Sequence, residues 1–450
     1  MDFRSLEKVD FPAFLTFISG YCQSHWATNL MQELKPYKKI EEVEKRRKEI
    51  LWAESILMQS ENIPSLQRVF DPAPIYAKNK FFSFQAEDFY EIKVLLELFQ
   101  SLVQLLHGDL PPVPWPDFKE LFDFFHPLIK GIKDTFDDRF QVKNTASVDL
   151  AKIRKRLTRA VEKMENQAAK LARDLFKKGA LQDDFFTLRN ERSVLPLNKD
   201  FKGRIKGYIH GTSKSGQSLF FEPHELVPLN NEIARQRHEE KKEINRILAE
   251  LSNLLRREEG NICKAANYLV LLDILFAISR FKKDWNGSFA HFNSDGLFQL
   301  LSLKHPLLGK SAVPIDVFLN EQKWILIISG PNSGGKTVFI KTFGLFIALN
   351  QCGLPLPLNP ESTVPFVENL FVELGDDQSI FTHLSRFSAH MTHVANILKN
   401  VNSNDLVLID ELAGSTSFSE GNALACSVTL ELMALQIPTV ISSHFEGMKA

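Results

Sequence analysis

Residues 330–337 read Gly330-Pro-Asn-Ser-Gly-Gly-Lys-Thr337, a full G-x-x-x-x-G-K-[ST] pattern. The apolar run Trp324-Ile-Leu-Ile-Ile328 precedes it and Val338-Phe-Ile-Lys-Thr-Phe-Gly-Leu345 follows, so the order strand, loop, helix is predicted. Glycines at 330, 334 and 335 let backbone N–H groups close on phosphate oxygens, and the helix N-terminus behind them adds partial positive charge. In such a loop Lys336 reaches the β- and γ-phosphates and Thr337 holds Mg²⁺. The pattern therefore implies a nucleoside triphosphate, contacted by Gly330, Pro331, Asn332, Ser333, Gly334, Gly335, Lys336, Thr337 and Val338.

Downstream, the buried-strand pattern Leu406-Val-Leu-Ile409 delivers Asp410 and Glu411 to the end of a strand, where parallel sheets bind ligands. Asp410 is expected to share the Mg²⁺ shell with Thr337, and Glu411 to polarise the attacking water. His444 follows the next apolar strand, Thr439-Val-Ile-Ser-Ser443, at the same sheet edge, within reach of a γ-phosphate. Gln378, in Gly375-Asp-Asp-Gln-Ser379, is a candidate for contact with the metal or the water. His383, His390 and His393 carry no metal expectation, because no Cys or carboxylate completes a set at ligand spacing.

A chain of 450 residues predicts two to four domains, and 44% apolar with 24% charged residues is ordinary for a globular protein. Cys22, Cys263, Cys352 and Cys426 show no C-x-x-C spacing, which fits a reducing cytoplasm rather than a disulfide framework. The N-terminus has no apolar signal region. The longest apolar run, Tyr268–Phe281, is interrupted by Asp273 and reads as a core helix too short for a bilayer, so no membrane partner is expected. A net charge of -1 excludes a globally basic surface, and any nucleic-acid contact must come from a local patch.

Helical periodicity marks the first hundred residues, and Asp109-Leu-Pro-Pro-Val-Pro-Trp-Pro116 interrupts it as a connector. From a Ser147 cap, apolar residues at 150, 153, 157, 161, 164, 168, 171 and 175 alternate by three and four, the seam of a long helix. A second seam, starting near Leu229, runs through Ile244, Ile247, Leu248, Leu251, Leu254 and Leu255, so two antiparallel arms are predicted. Between them, alternating runs with Gly and Asn turns predict a small β-rich tip. Arg189, Arg192, Lys202, Arg204, Lys206 and Lys214 on this tip are candidate nucleic-acid contacts. Glu191, Asp200 and Glu222 are interspersed, which leaves a plain solvated surface as the other reading.

The motifs GPNSGGKTVFIKTFGL, GDDQSI, LSRFSAHM, LVLIDEL and SSHFEGMKA occur in an order and spacing that resembles the MutS family of ATPases, within it the bacterial MutS-II-like branch. The N-terminal Leu6-Glu-Lys-Val-Asp-Phe11 and the FEPHELVPLNNE run from 221 resemble that branch too, so the likeness covers essentially the whole chain. It implies a multidomain α plus α/β fold: a helical core (1–146), a lever helix (147–183), a β-rich clamp (184–228), a returning lever helix (229–290) and an ABC-class P-loop ATPase domain (291–450). By the same likeness Gln378 is the Q-loop glutamine, Glu411 the catalytic base and His444 the switch histidine. Ser385 is the signature serine that contacts the γ-phosphate of a second subunit in a homodimer.

The likeness further implies that mismatch-reading and connector domains are absent, and that the family's ATPase continues past Ala450 into dimerising helices. Phe371-Val-Glu373 spells the mismatch wedge but lies inside the ATPase segment, so it is read as chance. Ala413 and Ser415 stand where the branch usually has Gly, so slow turnover is expected, and Arg386 stands where a small Thr or Ser is common. The function expected is an ATP- and Mg²⁺-dependent dimeric clamp on branched or non-B-form DNA, acting in recombination control or repair, cytoplasmic and nucleoid-associated. The alternative is a nucleotide-switched factor acting on ribosomes or RNA.

Overall fold

The chain is known from a computed structural model that describes every residue except 61, 107–114, 116, 119, 214–215, 321, 331–333, 375–382, 414–417 and 446–450. The fold is mixed, helical and α/β, with three four-stranded sheets among the described residues. Two units interleave along the sequence. One comprises Met1–Asp71, Leu98–Phe118 and Ala266–Ala450, the other Pro72–Glu97 and Lys119–Ala265.

The second of these units is built on two long helices. Ser147 caps Val148–Lys177: its Oγ accepts from Leu150 N at 2.9 Å and donates to Glu243 Oε1 at 2.7 Å, on the helix Val227–Arg257. Arg154 Nε meets Glu240 Oε1 at 2.7 Å. Rising numbers on one helix meet falling numbers on the other, so the pair is antiparallel. Met164, Ala168, Leu226 and Ile233 form one buried cluster along it. Ile153, Leu157, Val161 and Leu171 are only half-buried, because two helices alone leave the flanks of a seam open to water. Leu254 departs from the expected seam and is 46% exposed.

An antiparallel sheet occupies the segment between these helices, in the order Thr187–Arg189, Arg192–Asn198, Ser218–Pro223, Gly207–Thr212. Its anchor is the buried Glu222 carboxylate, which accepts from Arg192 through two guanidinium nitrogens, from Asn230 Nδ2 at 2.8 Å, and lies 2.6 Å from His210 Nε2. Burial pushes this carboxyl up; hydrogen bonds from Arg192, Asn230 and His210 outweigh it and hold the group below the ordinary carboxylate range. Asn230 also brackets Ser193, accepting from its N–H at 3.0 Å and donating to its carbonyl at 3.1 Å. The run from Phe221 to Glu232 is thus the fastening between sheet and helix. Gly207 is required here, since a Cβ would lie 2.2 Å from the Glu222 carbonyl.

In the other unit a parallel sheet runs Leu370–Glu373, Leu406–Ile409, Thr439–Ser443, Ile325–Ser329. A mixed sheet joins His291–Asn293, Thr363–Pro365, Phe298–Leu303 and Ile315–Leu319. The helix Glu259–Trp285 has 27 residues, long and apolar enough by composition to cross a membrane, so the expectation that its apolar run is too short for a bilayer fails as a length argument. Its apolar window is 72% buried within the protein, which makes it a core helix. Asp273, which interrupts the run, is fully buried and accepts from Gln23 N at 2.9 Å, Ser24 N at 2.7 Å and Ser24 Oγ at 2.7 Å. Of the run 109–116, expected as a connector, only Trp115 is among the described residues, and it is buried beside Trp52, Phe118 and Tyr268.

The N-terminal helices pack on the parallel sheet and its first helix, Lys336–Gln351. A Cβ at Gly344 of that helix would lie 2.6 Å from Val9 Cγ1 and 2.8 Å from Leu408 Cδ1. Lys8 Nζ donates to Glu373 Oε2 at 2.7 Å, and Lys341 Nζ meets Asp10 Oδ1 at 3.1 Å. The other Glu373 oxygen, Oε1, lies 3.4 Å from both His390 Nδ1 and His393 Nδ1. Sequence spacing found no carboxylate beside these histidines because Glu373 arrives from another element. Among the described residues no group of three or more His, Cys, Asp or Glu side chains is arranged so that it could hold a metal ion.

Two outcomes follow for stability. Gly344→Val adds two methyl groups beyond the clashing Cβ and forgoes the helix preference of Ala; it should cost about 3 kcal/mol in denaturant unfolding. For Glu373, burial raises the carboxyl but hydrogen bonds from His390 and Lys8, with the Lys8 charge, bring it to about 2 against an ordinary 4.5. A depressed carboxyl stabilises fully above pH 4.5 and loses that contribution as pH falls towards 2. Acid unfolding should therefore show a loss of about 2 to 3 kcal/mol across that window, the lower figure allowing for solvent screening, and Lys8→Met should shrink it.

Candidate functional site

Parallel pairing brings three strand ends to one edge of the sheet. In register, Ser442 pairs with Ile328 and Ser443 with Ser329, while Ile441 pairs with Ile409. Gly330, Asp410 and His444 are the residues that emerge next from these strands. Strand Ile325–Ser329 gives way to the loop, and the helix Lys336–Gln351 begins on Gly335, whose φ of 79° is a left-handed conformation suited to glycine. Open space surrounds Gly330 and Gly335 where a Cβ would stand, leaving backbone accessible to a ligand.

The side chains at this edge form one connected set. Thr337 Oγ1 donates to Asp410 Oδ2 at 2.5 Å, and Ser442 Oγ donates to Asp410 Oδ1. Ser442 Oγ in turn accepts from Glu411 N at 2.9 Å, so a single hydroxyl fixes both acidic residues. Lys336 Nζ donates to the Gly330 carbonyl at 2.6 Å and lies 3.4 Å from His444 Nε2, itself 3.4 Å from Glu411 Oε1. Asp410 and Lys336 are buried, whereas the Glu411 and His444 side chains are 42% and 41% exposed and can meet a solvent-borne ligand.

Chemically the set combines an ammonium and a helix N-terminus, which suit polyphosphate oxygens, with a hydroxyl and a buried carboxylate in contact. Hard oxygen donors of that kind fit Mg²⁺, and Thr337 and Asp410 are the pair that would hold it. Glu411 has a φ of 50° and Ala413 one of 60°, so backbone strain is concentrated in the turn that follows Asp410. Ala413, where glycine was the expectation, occupies a conformation that glycine would adopt at less cost.

Of the residues singled out from sequence, Gly330, Gly335, Lys336, Thr337, Asp410, Glu411 and His444 meet here. Gly334 and Val338 lie in the same loop and first helical turn, both exposed. Pro331, Asn332, Ser333 and Gln378 lie outside the described residues, as does Ser415. Ser385 belongs to the helix His383–Asn400, but its side chain, like that of Arg386, lies outside the described part. Ser442 was missed. Its signal was available, since it stands at strand alternation two residues before His444 and points with the edge that carries the acids.

The basic candidates on the antiparallel sheet differ among themselves. Arg192 is committed to Glu222 and also donates to Asn231 Oδ1 at 2.7 Å. Arg189 stacks 4.1 Å over Phe220 and Arg204 5.3 Å over Phe201, both remaining exposed. Lys202, Lys206 and Tyr208 are exposed around the same strand, and Lys214 lies outside the described residues.

Residues 326–450, which hold Lys336, Thr337, Asp410, Glu411, Ser442 and His444, match the family model MutS domain V. Over its full length the chain is 32% identical to a protein of Clostridium botulinum (strain Alaska E43 / Type E3) named Endonuclease MutS2, covering 58% of that protein. It is 36% identical to the protein of that name in Lachnoclostridium phytofermentans, over 73% of this chain and 42% of the relative. With that of Listeria monocytogenes serotype 4a (strain HCC23) it shares 38% identity, over 71% of this chain and 41% of the relative. The chain thus spans a little over half the length of the curated relatives that match it throughout. The matched segment holds the residues that meet at this edge and the likeness to the relatives runs over the full length of the chain, so the chain belongs to the MutS family.

Proposed function

We propose that this chain binds and hydrolyses ATP with Mg²⁺ at the edge formed by Gly330–Thr337, Asp410, Glu411 and His444, and that nucleotide state governs its grip on DNA. The observation that carries the reading is the contact of Thr337 with Asp410, coupled through Ser442 to Glu411. Phosphoryl transfer needs little covalent help from protein; it needs charge neutralisation and an oriented water. Lys336 and the loop N–H groups neutralise the β- and γ-phosphates. Mg²⁺ supplies further charge neutralisation when bound by Thr337 and Asp410. Glu411 orients the attacking water from an exposed position, and His444, bridging Lys336 and Glu411, reports whether a γ-phosphate is present. Ser385 completes the site of a second copy, so the active form in this reading is a homodimer.

The DNA part of the reading draws on membership in the MutS family and on the exposed Arg189, Lys202, Arg204, Lys206 and Tyr208. Arg192 is withdrawn from the contact set because Glu222 already neutralises it. Branched or distorted duplex is the preferred ligand, since a clamp reads backbone geometry rather than base edges.

Lys336→Ala should abolish ATP binding, and Glu411→Gln should retain binding while lowering turnover about 100-fold or more in a steady-state phosphate-release assay. Wild-type turnover in both would remove the mechanism. Replacing Lys202, Arg204 and Lys206 together by Ala should weaken junction-DNA binding uniformly across sequences and flatten the log–log salt dependence by about 3 units. An unchanged slope, or retention of ribosomal subunits in preference to junction DNA in the same ATP-dependent assay, would favour the ribosome-directed alternative.

A further inference from the structure

Glu373 ends the strand Leu370–Glu373, beside the strand that delivers Asp410, and takes no part in the edge described above. Its main chain and side chain do different things. The Glu373 carbonyl accepts from Asp410 N at 2.8 Å, fixing the backbone from which the metal-type carboxylate projects. Its carboxylate, buried, meets Lys8 of the N-terminal helix on one oxygen and His390 and His393 of the helix His383–Asn400 on the other. His390 Nε2 is buried with no hydrogen-bond partner, so the tautomer with the proton on Nδ1, facing Glu373, leaves only an acceptor unpaired. The Arg4 guanidinium lies 2.8 Å from His393 Nε2, so the N-terminal helix holds this cluster at two points.

We infer that Glu373 is a positioning residue for the nucleotide chemistry, clasping the N-terminal helix and the helix His383–Asn400 to the strand end that aims Asp410. The inference rests on the nucleotide reading proposed above. It makes the first helix of the chain, remote in sequence from the loop 330–337, a working part of the same device. A buried carboxylate with both oxygens engaged resists rotation, and its carbonyl bond to Asp410 passes that constraint to the carboxylate beside Thr337. Loss of the clasp should leave the phosphate loop intact and loosen the acidic end, so catalysis and Mg²⁺ response suffer while nucleotide binding does not.

The test compares full-length Glu373→Gln, Lys8→Met, Lys8→Arg and the Glu373→Gln/Lys8→Met pair. Glu373→Gln and Lys8→Met should each lower kcat about 10-fold and raise the Mg²⁺ needed for half-maximal rate, with the affinity for a fluorescent ATP analogue within about 2-fold of wild type. Lys8→Arg should restore most of the loss, and the double variant should be no worse than the single ones. Amide exchange over 410–412 should quicken in Glu373→Gln and Lys8→Met while that of the helix Lys336–Gln351 stays unchanged, which separates the clasp from general unfolding. Variants that keep wild-type kcat, Mg²⁺ response and exchange would overturn the inference. Wild-type protein that neither binds nor hydrolyses ATP would instead defeat the nucleotide reading, and the exchange pattern would then decide the clasp by itself.

Discussion

The parallel pairing of Thr439–Ser443 between Ile325–Ser329 and Leu406–Ile409 is the constraint on which the functional edge depends. Each strand carries a short apolar stretch and then delivers residues of the edge: Gly330 of the loop, Asp410 with Glu411, and His444. Only the parallel arrangement sends all three active ends to the same side of the sheet. A shift of one residue in the central strand would turn Ser442 to the other face and separate Asp410 from Glu411's anchor. The core behind the edge resists such a shift, because Val407, Ile409, Ile441 and Ile437 pack together with Leu412, Ala425 and Leu432.

Buried carboxylates perform a second kind of work. Asp273, Glu222 and Glu373 each gather partners from other elements, and in each case both carboxylate oxygens are engaged. Such groups are expensive to bury and strongly destabilising when left with a partner missing. They act as address labels: an apolar surface accepts many neighbours, a buried carboxylate accepts only the one arrangement that supplies its donors.

Local chemistry was legible in the sequence and distant pairing was not. The strand, loop and helix around 330–337 follow from adjacent residues, as does the Ser147 cap, so spacing and pattern suffice to draw them. The arms were legible from their three-four alternation, but not which seam positions are dry, since Leu254 lies exposed and Ile153 half-buried although both fit the pattern. Among the tip's basic residues, sequence gives Arg192 and Lys202 equal standing. Only the sheet register and the placement of Asn230 reveal that Arg192 is spoken for. The contacts of Glu373 were not legible, because its partners lie 365 and about 20 residues away in the chain, on elements whose mutual position no local rule predicts.

The fit of Val9 against Gly344, with Lys8 on Glu373 beside it, bears on how the protein is made. A ribosome releases the first helix long before the strand it will rest on exists. At about 5 to 20 residues per second, the 365 residues between Lys8 and Glu373 take roughly 20 to 70 s. During that interval Val9, fully buried in the finished protein, lacks its seat. The seat of Val9 is therefore completed only after the strand that bears Glu373 has been made, and until then this apolar side chain has to be accommodated in some other way.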